Sequence, residues 1–198
     1  MIILDLEMSG PYPPEYGIVS IGALEFENPS NTFYAECRLR EEQKIDPSTV
    51  PIHGFSEEAM RDPNKKNMGE VLQDFLEWMK TVKEKTFAAH NTPFDWTFMI
   101  FDFRHYGLEW PFNVRSVDLH TLAYTHMLHR GVQPPRLNDV SAVGLSKILE
   151  YVGVKDPRKT HNALEDAKLE AECLHRLLYG KALLKEYSDQ EVPEYLRK

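Results

Sequence analysis

Residues 1–8, Met-Ile-Ile-Leu-Asp-Leu-Glu-Met, alternate strictly. Ile2, Leu4, Leu6 and Met8 share one parity, and Ile3, Asp5 and Glu7 share the other. Side chains of an extended strand point to opposite faces in turn, so the segment reads as a strand with one apolar row aimed at a core. The same alternation sets Asp5 and Glu7 side by side on the opposite face. Neighbouring carboxylates repel, and a strand that carries them is poorly stabilised unless a cation lies between them. Taken alone, the pair reads equally well as the solvated end of a strand.

The chain has 198 residues, enough for one domain with a full core. Its net charge of −8 and pI of about 5.5 argue against nonspecific wrapping of duplex nucleic acid, which needs a basic footprint. An enzyme that holds a few nucleotides through metal ions and a local patch stays open. Cys37 and Cys173 lie in no Cys-x-x-Cys spacing and read as reduced, packed thiols of a cytosolic protein. No basic start with a long apolar run is visible, so a cytoplasmic location without a secretory leader is expected. No stretch approaches the roughly 20 apolar residues of a membrane span.

After the first strand, Gly10 to Gly17 reads as a loop, Ile18 to Phe26 as a second strand, Glu27 to Asn31 as a turn and Thr32 to Leu39 as a third strand. Short connections predict an antiparallel meander. A short helix is expected near Ser56, and an amphipathic helix over Met68 to Val82. Thr86 to His90 reads as a strand, followed by a helix that Thr92 caps with Pro93 at its first position, ending at Gly107. Val114 to Leu119 reads as a strand, and Leu119 to Leu128, Leu145 to Val152 and Ala163 to about Leu178 as helices. The expected fold class is α/β: a mixed sheet, antiparallel over three strands and then parallel, flanked by helices. The expected division is a domain over 1–180 and a charged C-terminal tail over 181–198, docked or frayed.

Two further places carry acid beside a turn. In His90-Asn91-Thr92-Pro93-Phe94-Asp95 a strand ends and a helix begins, so Asp95 falls in the first turn, where the helix dipole already favours an acid. In His161-Asn162-Ala163-Leu164-Glu165-Asp166, Asn162 and Glu165 fit a capping box, with His161 just before the helix and Asp166 just inside it. Each has a purely structural reading. Together, Asp5, Glu7, Asp95 and Asp166 sit on a strand and two helix starts, where an α/β sheet gathers its active site. Four clustered acids call for about two divalent cations, an arrangement suited to phosphodiester cleavage.

Asp5-Leu6-Glu7 and these two hexapeptides resemble the three exonuclease motifs of the DEDD superfamily. The spacing from His161 to Asp166 is that of its histidine branch, DEDDh, which includes the proofreading subunit of the bacterial replicative polymerase, ribonuclease T and oligoribonuclease. Asp5-Leu-Glu-Met-Ser-Gly10 is closest to the oligoribonuclease form of the first motif, whereas Ile52-His53-Gly54-Phe55 is similar to a stretch of the proofreading type. The motifs span Asp5 to Asp166. The resemblance implies a ribonuclease H-like fold and hydrolysis of the terminal phosphodiester from the 3′ end, releasing nucleoside 5′-monophosphates. It implies two Mg²⁺ ions, with Mn²⁺ able to substitute, held by Asp5, Glu7, Asp95 and Asp166, and His161 as the base that takes the water's proton. All-carboxylate ligation agrees with hard divalent ions rather than zinc. The resemblance also points to Met8, His53, Asn91 and Phe94 as contacts to the terminal nucleotide, Phe94 by stacking. Lys155, Arg158 and Lys159 read either as holding backbone phosphates or as a solvated loop.

The expected partners are single-stranded nucleic acid or short oligonucleotides, with a homodimer open and no membrane. The competing readings are a phosphodiesterase for very short oligonucleotides and a binding module of the same fold without catalysis. Four acids and a histidine, all present, speak against the last.

Overall fold

The computed structural model describes residues 1–197. Its centre is a five-stranded sheet in the order β3-β2-β1-β4-β5. The strands are β1 (Ile2–Met8), β2 (Ile18–Glu25), β3 (Asn28–Glu36), β4 (Phe87–Ala89) and β5 (Ser116–Asp118). β1, β2 and β3 pair antiparallel, whereas β4 runs parallel to both β1 and β5. Parallel neighbours need helical crossovers. Between β1 and β5 the chain supplies α1 (Val50–His53), α2 (Glu57–Met60), α3 (Met68–Met79) and α4 (Pro93–His105). Beyond the sheet come α5 (Leu119–His129), a small hairpin of β6 (Arg136–Leu137) and β7 (Val140–Ser141), α6 (Leu145–Val152) and α7 (Ala163–Tyr179).

The mixed sheet and its helices agree with the expected fold class, but β1 has two buried faces rather than one. Ile2, Leu4 and Leu6 pack with Val71, Leu72 and Phe75 of α3 and with Phe98 and Phe103 of α4. Ile3, on the other parity, packs with Ala167, Ala171 and Leu174 of α7. Asp5 and Glu7, of the same parity, therefore lie on the side of the sheet that α7 covers, Glu7 buried and Asp5 half-buried.

The turn between β2 and β3 is tighter than composition suggests, since only Phe26 and Glu27 lie outside the strands. Asn28, Ser30 and Asn31 read as turn residues but form the start of an edge strand, which tolerates polar side chains. At the N-terminus of α4, Pro93 takes the first turn as expected, but Thr92 makes no capping hydrogen bond. Its hydroxyl reaches the carbonyl oxygens of Ala89 (3.3 Å) and Val117 (3.1 Å), stitching the ends of β4 and β5 together. Only half of the expected capping box forms on α7: the Asn162 side chain accepts from the N–H groups of Leu164 and Glu165, while Glu165 turns to Lys168.

Of the two readings for the C-terminal segment, the structure shows a docked one. The Glu172–Arg176 pair is fully buried, with Nε of Arg176 2.6 Å from the carboxylate. Arg176 also donates to the carbonyls of Val152, Tyr187 and Gln190, and Glu172 accepts from the N–H groups of Leu183 and Leu184. One ion pair in α7 thus satisfies the backbone of the strap that follows, and Tyr187 and Leu196 enter the core.

Candidate active site

The site lies at the carboxyl ends of β1 and β4, where a sheet of this type opens a crevice. β1 delivers Asp5 and Glu7, the first turn of α4 delivers Asp95, and the first turn of α7 delivers Asp166. Gly22 makes the last delivery feasible. It pairs with Asp5 across the β1–β2 ladder. A Cβ at Gly22 would lie 2.1 Å from the Ala163 carbonyl carbon and the Leu164 nitrogen. Only a missing side chain lets the start of α7 rest on the sheet and bring Asp166 to β1.

His161 and Asp166 meet directly, with Nδ1 2.8 Å from Oδ2. The His161 backbone N–H donates to the Ile52 carbonyl (2.8 Å), so the loop before α7 is tied to α1. The other oxygen of Asp166 faces the guanidinium of Arg158, Nη1 to Oδ1 3.3 Å. Glu7, His161 and Asp166 each bring one ligand-type atom within 4.8 Å of one another. Asp5 and Asp95 stand beside this group rather than in it. Asp5 lines two cavities that meet at the acids and is part-exposed to them.

The first cavity, of about 400 Å³, is lined by Asp5, Glu7, Met8, His53, Asn91, Phe94 and Asp95, among others. All four residues expected to contact a nucleotide therefore share one wall system. Phe94 is 40 % exposed and is not a core anchor. Asn91 adopts a left-handed backbone (φ 63°), a strained conformation that recurs at functional sites. His53 is buried; its Nδ1 accepts the Phe55 N–H at 3.0 Å, so the proton sits on Nε2, which is buried without a partner. The second cavity, of about 330 Å³, is lined by Asp5, His90, Ser146, Lys147, Arg158, His161, Asp166 and Glu170.

The profile of the exonuclease family (RNase T) matches residues 2–174. This chain belongs to the exonuclease family. It is 29% identical over 200 residues to DNA polymerase III subunit epsilon of Haemophilus influenzae, covering 98% of this chain and 72% of that protein. It is 28% identical over 181 residues to the 3′-5′ DNA exonuclease Cap18 of Escherichia coli, covering 89% and 90% of the two chains. Among solved structures, the nuclease domain of 3′hExo, a DEDDh family member bound to rAMP, superposes with a TM-score of 0.69 at 18% identity, covering 98% and 95% of the two chains. The chain is thus a 3′→5′ exonuclease by family, a hydrolase of phosphodiester bonds.

Members of this family use divalent metals. The residues present fit such ions, because the acids are poorly tolerated without them. Burial and the nearby Asp166 push the Glu7 carboxyl up to about 7, against the pull of His161 and Arg158. Burial pushes Asp95 up to about 8, although N–H groups of its own backbone and of Leu6 pull it down. Asp5 is raised well above the usual range by burial and then by Glu170, Asp95, Glu7 and Asp166. One oxygen of Glu7 is buried with no hydrogen-bond partner. Oxygen donors short of positive charge are what a hard divalent cation seeks.

Sequence reasoning missed Glu170. It is buried, one of its oxygens has no partner, and after burial itself it is the largest influence raising Asp5. The signal was present: Glu170 follows Asp166 by four residues, which places both on one face of α7. The basic loop resolves unevenly. Lys155 and Lys159 are exposed, whereas the Arg158 side chain is 8% exposed and ion-paired.

Proposed function

We propose that this exonuclease removes nucleotides from the 3′ end of single-stranded DNA or RNA, with His161 as general base and two divalent ions at Asp5, Glu7, Asp95 and Asp166. The observation that carries the reading is the His161–Asp166 contact on the wall of the second cavity, which shares Asp5 with the first. When bound, the ions polarise the phosphate, activate water and offset the charge of the departing oxygen.

The chain's own groups divide the remaining work. His161 donates its Nδ1 proton to Asp166, which leaves the lone pair on Nε2 to accept the proton of the attacking water. The water oxygen bonds to phosphorus, the bond to the 3′-oxygen of the shortened strand breaks, and that oxygen takes up a proton from solvent. The first cavity lies within the roughly 300–1,000 Å³ of small-ligand pockets, so it holds one terminal nucleoside. Phe94 offers a stacking face, a sequence-tolerant contact of about 1–3 kcal/mol. His53 offers the unpartnered Nε2–H to the sugar or phosphate, and Met8 and Asn91 border the same nucleoside.

The test is digestion of a single strand labelled at its 5′ end. With Mg²⁺ or Mn²⁺ the ladder shortens from the 3′ end, a chelator stops it, and a blocked 3′-hydroxyl slows it. Activity that survives exhaustive chelation, or that cuts closed circular single strands, overturns the reading. The same assay on DNA and RNA of graded length assigns the preferred sugar and size.

A further inference from the structure

Arg158 has a geometry that a solvated loop residue lacks. Its Nε and Nη2 form a two-pronged pair with Asp156 at 2.9 and 2.7 Å. Nη2 also donates to Ser146 Oγ of α6 at 2.8 Å, and that hydroxyl in turn donates to Asp156 at 2.8 Å. Three of the five guanidinium N–H groups are thus spent on anchoring the plane. The remaining two belong to Nη1. One makes the long 3.3 Å contact to Asp166, and the other has no protein acceptor among the described residues. Nη1 is therefore the working end, held on the wall of the second cavity with Asp5, His161 and Asp166.

Charge also singles out Arg158. Asp5, Glu7, Asp95, Asp166 and Glu170 crowd the junction, and Arg158 is the one Lys or Arg among the described residues that forms an ion pair with any of them. Lys147, the other cation lining that cavity, is half exposed and pairs with Glu150. A guanidinium whose Nε and Nη2 are held by Asp156 keeps its plane when substrate arrives and presents the N–H groups of Nη1 to a phosphate oxygen.

We propose that Arg158 is a catalytic residue of this exonuclease: its Nη1 leaves the long contact with Asp166 and donates to a non-bridging oxygen of the scissile phosphate. This rests on the exonuclease reading of the same site. Charge on that oxygen grows in the transition state, so a preorganised donor there acts mainly on turnover. The alternative is a positioning role, in which Arg158 merely holds Asp166 for the metal.

The experiment compares wild type, Arg158→Ala and Arg158→Lys in single-turnover cleavage of a 5′-labelled single strand at saturating Mn²⁺. Mn²⁺ binding is titrated separately by calorimetry without substrate. Arg158→Ala is expected to lower the cleavage rate by about 10²–10³, as removal of one transition-state donor does. KM should stay within about threefold, Mn²⁺ affinity should be equal or tighter because a competing cation has left Asp166, and added guanidinium ion should restore part of the rate. Arg158→Lys keeps the charge without the fork and should remain at least about tenfold slow; it also decides the case if the alanine variant does not fold. Wild-type turnover in Arg158→Lys overturns the proposal. So does Mn²⁺ binding weakened in proportion to the rate in Arg158→Ala, with no guanidinium rescue. An inactive wild type refutes the exonuclease reading instead, so the two failures are distinct.

Discussion

At the scale of single residues, ligand and base separate by what their removal should cost. Asp95→Ala deletes a buried carboxyl group that would hold metal and is expected to weaken both Mn²⁺ binding and turnover. His161→Ala deletes the proton acceptor and should leave Mn²⁺ binding within a few-fold while turnover falls by about 10²–10⁴. The hydrogen bond to Asp166 raises the His161 pKa above its ordinary value, more than burial lowers it. In the metal-free protein His161 should therefore titrate above its ordinary value; a divalent ion on Asp166 offsets the charge responsible, so the acid limb of the wild-type rate profile should move back toward the ordinary histidine range and should vanish in His161→Ala. Calorimetry and single-turnover cleavage across pH check both. A His161→Ala enzyme that cleaves at the wild-type rate would remove the base from the mechanism.

Among the elements, α7 carries the most. It is buried almost all round, not along one stripe: Leu164 and Leu178, which share its apolar stripe with Ala167, Ala171 and Leu174, are only partly buried, while Asp166, Glu170, Glu172 and Arg176 lie inside. Its acids divide between two tasks at i, i+4 spacing: Asp166 and Glu170 face the site, and Glu172 with Arg176 holds the C-terminal strap. All of this depends on the approach at Gly22. Gly22→Ala should push the start of α7 off the sheet, because the atoms it meets are backbone and cannot rotate away. We expect a loss of about 1–3 kcal/mol from overpacking and a much larger relative loss of activity, since Asp166 and His161 move with the helix. Denaturant titration beside a turnover assay measures the two. Wild-type turnover in Gly22→Ala would show that the close approach is not needed for the site.

For the molecule as a whole, the acid cluster couples folding to pH and metal. Asp5, Glu7, Asp95 and Glu170 all have folded pKa values above their unfolded ones. The folded state thus binds more protons than the unfolded state, and stability falls as pH rises from the ordinary carboxylate range through about 7 for Glu7 and about 8 for Asp95. His161, also raised, acts with the same sign: its ion pair with Asp166 is lost as pH climbs through the folded value, whereas His53, His90 and His126, pushed down by burial, act against it below about pH 6.5 and are outnumbered by the acids. In chelator, the melting temperature should fall between pH 5.5 and pH 8, by about 2–4 °C for each kcal/mol lost. Mg²⁺ should close the gap, most at pH 8, where fewer protons compete. A melting temperature in chelator that is flat or rising over this range would contradict the buried, mutually repelling cluster.

Much of this was legible in contiguous residues. The period-two alternation set β1 and put Asp5 and Glu7 on one face, and α6 runs from Leu145 to Val152 as expected, ending at Gly153. The strand ends and helix starts that carry the acids were visible because their signals lie within six residues of each acid. The tertiary structure alone decided which side of a helix meets which strand. It turned Glu170 inward beside Asp5, left Phe94 open to a cavity, and aimed Arg158 at Asp166 while Lys155 and Lys159 stayed in solvent. It also hid Thr92 under the strand ends instead of capping α4. These outcomes rest on contacts between segments far apart in the chain, above all on the absent Cβ of Gly22 facing Ala163. No local pattern encodes such a contact, because a glycine reads the same in a loop as beneath a helix; only the packing distance tells them apart.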